Sequence, residues 1–105
     1  MKTTDTLNLL FLQEALARII DDHKKRGEHG VDITQTDLYH TIGLKEALNP
    51  YDTPSDPLPM GSVDDDLSEL KKLMLDEERL ATPMDMERVA NLLRVAAALL
   101  EQDRS

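Results

Sequence analysis

The chain has 105 residues, of which 40% are hydrophobic and only 3% aromatic, and its 12 basic and 21 acidic side chains leave a formal charge of −9. Such a length fits one domain with a modest aliphatic core. The complete lack of cysteine excludes disulfides and thiolate zinc sites, and the scarcity of aromatic rings excludes stacking platforms for single-stranded nucleic acid.

The charge is unevenly spread. Residues 1–48 hold 6 basic and 8 acidic groups, whereas 49–105 hold 6 and 13, with nine carboxylates between Asp52 and Glu78. A field of this sign repels phosphate backbones and anionic membranes and attracts basic partners. No secretory leader or membrane-length apolar run is visible from Met1 onward, so the expected compartment is the cytoplasm and no membrane is expected as a partner.

In chain order, the first expected element is a helix over 7–26. Thr4 or Thr6 can cap it, and Gly27 stands where a left-handed residue ends a helix. Leu9, Leu12, Leu16, Ile19, Ile20 and His23 fall on one stripe, and Lys24, Lys25 and Arg26 complement the negative end of the helix dipole. Leu7, Leu10 and Phe11 point off that stripe, so the first turns are apolar nearly all round. That excess needs a cover.

Residues 27–33 read as a loop. Thr34-Gln35-Thr36-Asp37 offers a capping signal, and Gly43 divides the next segment into two short helical pieces, a helix–Gly–helix corner. Between about 49 and 61, Pro50, Pro54, Pro57 and Pro59 impose a linker in extended or turn geometry. A helix over 64–80 comes next, with Ser62 as cap and Asp64, Asp65 and Asp66 in its first turn. The last helix starts on Thr82-Pro83 with Asp85 as the third-position acid, and runs to about Gln102. Met86, Val89, Ala90, Leu93, Ala96, Ala97 and Leu100 form its main stripe, which Leu92, Val95 and Leu99 widen. Because only a residue or two joins these last helices, they are expected to form an αα-hairpin.

The fold class expected is therefore all-α: one domain over 1–105, a small bundle of three long amphipathic helices with the short corner and a C-terminal hairpin. A single copy leaves apolar surface uncovered at Leu7, Leu10 and Phe11 and at Leu92, Val95 and Leu99, which points to self-association as a homodimer.

Residues able to carry chemistry are few. His23, His29 and His40 have no metal-ligand spacing with one another, no nucleotide or hydrolase motif is present, and the threonines sit at helix starts. Neither enzyme activity nor any cofactor or metal is expected. The carboxylates Asp64, Asp65, Asp66 and Glu69, with Asp76, Glu77 and Glu78, are the candidate surface for a basic protein partner. The segment Thr34-Gln35-Thr36-Asp37-Leu38-Tyr39-His40-Thr41-Ile42-Gly43-Leu44 resembles the first helix and turn of a helix-turn-helix. That resemblance implies, as an alternative, a transcription regulator reading DNA through residues 34–49. Pro50 cuts its recognition helix short and Lys45 is that helix's one cation, so nucleic acid ranks below a protein partner. A third reading, an acidic mimic of nucleic acid, rests on the same carboxylates. The leading expectation is a small acidic adaptor or regulatory module that binds another protein.

Overall fold

The computed structural model of the chain describes residues 6–40 and 60–104. They are mostly helical: α1 (Leu9–Lys25), β1 (Leu38–His40), β2 (Met60–Ser62), α2 (Val63–Leu75) and α3 (Pro83–Arg104). The chain divides into two compact units, one ending at Val31 and the other starting at Asp32. No helix among the described residues is long and apolar enough to cross a membrane.

In the first unit, α1 begins at Leu9, two residues later than expected. The cap is Asn8, whose Oδ1 accepts from the backbone N–H groups of Leu10 (2.9 Å) and Phe11 (3.2 Å). At the other end Gly27 takes a φ of +84°, and the N–H groups of Gly27 and Glu28 donate to the carbonyls of Lys24 and His23 at 3.0 and 2.9 Å. This is a Schellman motif, and it satisfies carbonyls that the helix leaves open. The Glu28 carboxylate closes the corner by accepting from Arg26 Nε at 2.9 Å, with the His23 ring 3.2 Å away. His23 is half-buried there, while His29 is exposed.

In the second unit, Leu38–His40 do not form the expected helix. They pair antiparallel with Met60–Ser62, with Leu38 opposite Ser62, Tyr39 opposite Gly61 and His40 opposite Met60. Asp37 shows why. Instead of capping a helix of its own segment, its carboxylate accepts from Ser62 Oγ (2.9 Å) and the Asp64 N–H (3.2 Å), and its carbonyl accepts from the Val63 N–H (2.7 Å). Asp37 thus helps Ser62, which bonds the Asp65 N–H at 3.3 Å, to satisfy the start of α2. Beyond His40, the predicted corner around Gly43 and the proline-rich linker lie outside the described residues.

The helix expected over 64–80 stops at Leu75, so seven residues rather than one or two connect α2 to α3. Continuing would put Asp76, Glu77 and Glu78 at the negative end of the helix dipole. Asp76 instead adopts an extended backbone (φ −111°, ψ 96°), and its side chain accepts from the Glu78 N–H at 3.1 Å. The start of α3 agrees with the sequence reading: Pro83 is its first residue, and the Asp85 carboxylate reaches back to the Thr82 N–H at 2.9 Å. α2 and α3 pack on each other, and α2 also touches β2. Among the described residues Val63, 2% exposed, is the one apolar side chain that is buried.

Candidate interaction surface

Polar groups tie the α2–α3 connection to both helices. Asp85, 3% exposed, is their centre on α3. One carboxylate oxygen accepts from the Thr82 N–H and hydroxyl, the latter at 3.3 Å. The other accepts from Arg79 Nη2 at 3.1 Å and Arg88 Nη1 at 2.9 Å. The Thr82 amide and the two guanidinium groups hold the Asp85 carboxyl below the usual carboxylate range, although its burial works the other way. Arg79 also donates to the Glu69 carbonyl at 3.3 Å, and the Glu69 carboxylate takes Lys72 Nζ at 3.1 Å. Lys72 is the main reason Glu69 titrates low, with Arg88 and Arg79 contributing.

A second polar contact joins β1 to the helices. The Tyr39 hydroxyl donates to the Asp66 carboxylate on α2 and interacts with Asn91, which is 8% exposed on α3. Burial, followed by the bond to Asp66 and that group's charge, pushes the Tyr39 phenol up to about 12. A phenol kept protonated this strongly is a hydrogen-bond donor and has no use as a base. Beneath the ring lies Gly61: a Cβ there would sit 2.5 Å from Tyr39 Cζ. Every buried side-chain nitrogen and oxygen among the described residues is paired.

These contacts divide the predicted acidic surface. Asp66 and Glu69 are half-buried and occupied with Tyr39, Lys72 and Arg79. Asp64 and Asp65 are exposed in the first turn of α2, while Asp76, Glu77 and Glu78 are exposed in the connection beyond its end. The seven carboxylates therefore do not form one strip along a helix. Among the described residues no group of three or more His, Asp or Glu side chains is arranged to hold a metal ion.

The apolar candidates divide as well. Leu7, Leu10 and Phe11 are exposed, together with Leu9, Leu12, Ile19 and Ile20 on the other side of α1. Leu92, Val95 and Leu99 are half-buried, on the side of α3 that carries Asp85, Arg88 and Asn91. Most of the predicted main stripe is turned the other way, with Met86, Val89, Ala90, Leu93 and Ala97 exposed, while Ala96 and Leu100 are half-buried. The apolar arc of α3 is so wide that spacing alone did not say which part packs inward. Two buried polar residues mark the inward side, where Asp85 meets Arg79 and Asn91 interacts with Tyr39. With Arg88 between them, their i, i+3, i+6 spacing beside Leu92 and Val95 was the signal available in the sequence.

On α2, Leu67, Leu70, Lys71, Met74 and Leu75 line a shallow apolar depression of about 320 Å³. Within the second unit, exposed apolar side chains of α2 and α3 share the surface with the exposed carboxylates Asp64, Asp65, Asp76, Glu77 and Glu78. Comparison with protein-family models, with curated proteins and with solved structures finds no match.

Proposed function

We propose that this chain is a non-enzymatic protein-interaction module that self-associates, and that it presents a carboxylate-rich surface to a basic protein partner in the cytoplasm. One observation carries the reading: Val63 is the single buried apolar side chain among the described residues, while large apolar side chains on α1, α2 and α3 stand exposed. An isolated helix the length of α1 is marginal in water without tertiary packing. Association supplies that packing.

The acidic half of the proposal rests on the carboxylates that the fold leaves exposed, Asp64, Asp65, Glu77 and Glu78. Charge reversal there tests partner capture without touching the pairs of Asp66 and Glu69. The probe is a lysine- and arginine-rich peptide, titrated into the full chain at low and at moderate salt. Binding that weakens with salt and is lost in the Asp65→Lys/Glu77→Lys/Glu78→Lys protein supports the reading. Absence of binding at low salt removes the basic partner. Analytical ultracentrifugation of the same preparation tests self-association, and a monomer at every concentration removes that.

A further inference from the structure

We infer that the exposed stripe of α3 is the seam along which two copies of this chain pair, with their α3 helices antiparallel. The inference rests on the self-association proposed above and assigns it a surface.

Met86, Val89 and Leu93 are 61%, 38% and 40% exposed, and Ala90 and Ala97 are exposed between and beyond them. Along one line of the stripe large and small residues alternate in the order Met86, Ala90, Leu93, Ala97, with Val89 beside it. Reversing that order gives its complement. In an antiparallel pair centred between Ala90 and Leu93, Met86 lies opposite Ala97 of the second copy and Leu93 opposite its Ala90. Each large side chain then enters the gap left by a small one, as knobs-into-holes packing requires. A parallel pair would set Met86 on Met86 and Ala90 on Ala90, crowding some layers and leaving voids in others.

The charges beside the seam favour the same arrangement. At about 100° per residue, Glu87 and Arg94 lie within roughly 20° of each other around the helix, on one edge of the stripe. An antiparallel two-fold brings like edges together. Glu87 of each copy then meets Arg94 of the other, about 3 Å from level at a rise of about 1.5 Å per residue. The pairing occurs twice by symmetry.

Area is consistent with such a seam. The stripe exposes roughly 350 Å² of apolar surface per copy, and at the roughly 60–65% apolar share usual for an interface core the two-copy total is about 1,100 Å², at the low end of a specific interface.

The test is sedimentation equilibrium of the full chain and of variants, with circular dichroism to confirm that each stays helical. Leu93→Glu adds a charge at an exposed position and is expected to weaken dimerisation on the order of a hundredfold with helicity retained. Glu87→Arg and Arg94→Glu should each weaken it on the order of tenfold, and the double exchange Glu87→Arg/Arg94→Glu should restore it. A wild-type chain that is monomeric throughout overturns both the seam and self-association. This includes the case in which α1 of the same chain covers the stripe. A wild-type dimer indifferent to Leu93→Glu and to the charge exchange, yet dissociated by Phe11→Glu, overturns the seam alone.

Discussion

Replacing Gly61 with alanine tests the tie between the strand pair and the helices. The new Cβ would lie 2.5 Å from Tyr39 Cζ, 2.6 Å from its hydroxyl oxygen and 2.7 Å from Cε2. Non-bonded carbons settle at about 3.5–4.0 Å, so the outer end of the ring must retreat by about 1 Å. The backbone need not move, because the ring can swing about its own torsions. Its hydroxyl, however, is held by Asp66 and Asn91, and a displacement of that size strains both interactions. The loss is therefore at most that of one hydroxyl-to-carboxylate bond in a partly buried site, about 1–3 kcal/mol. Tyr39→Phe removes the same bond without moving the ring. The two changes should consequently be non-additive, with Gly61→Ala costing much less in the Tyr39→Phe background. Urea unfolding followed by far-ultraviolet circular dichroism reads all four proteins, at one fixed concentration because dimerisation contributes to stability. Additive effects, or a Gly61→Ala midpoint equal to that of the wild type, would mean that the glycine and the tyrosine hydroxyl are not linked in this way.

Alkaline pH tests the same tyrosine independently. Its folded-state pKa is raised from 10.0 to about 12, so its contribution is complete below pH 10.0 and declines as pH rises through about 12. The difference in stability across that window is about 2–3 kcal/mol, and Tyr39→Phe should abolish that component of the pH dependence. Asp85 behaves in the opposite sense: its pKa is depressed, so its contribution is present at neutral pH and fades as pH falls through the lowered value. Asp85→Asn should lower the Tm at pH 7 by roughly 5 °C or more, and the two Tm curves should converge in acid. Asn8→Ala removes the α1 cap and should cost about 1 kcal/mol of helix stability, visible as faster amide exchange at Leu10 and Phe11. Gly27→Ala imposes the left-handed φ of +84° on a residue with a Cβ and should cost about 1 kcal/mol, read by thermal melting.

Local signals in the sequence carried much of the helical architecture. Gly27 after three cations marked the end of α1, and Thr82-Pro83 with Asp85 marked the start of α3, because each signal acts within a single turn of chain. What failed was non-local. Leu38–His40 and Met60–Ser62 are three-residue strands, too short for alternation to show, and their pairing depends on Asp37 meeting Ser62 and Val63 across the intervening chain. Asp37 was legible as a capping residue but not as a cap for a helix 26 positions away. The site was partly legible for a related reason. Exposed Leu7, Leu10 and Phe11 were visible as surplus apolar surface, whereas the inward turn of Leu92, Val95 and Leu99 is marked by the partners of Asp85 and Asn91. Likewise, nothing within residues 64–78 distinguishes the paired carboxylates Asp66 and Glu69 from the exposed Asp64 and Asp65.

The register of the two short strands has a consequence for their side chains. His40 and Met60 are opposite one another in the ladder, so whatever joins them begins and ends at a pair already clasped. A one-residue slip of this pairing would turn every side chain of one strand to the opposite face of the ladder and take Tyr39 off Gly61.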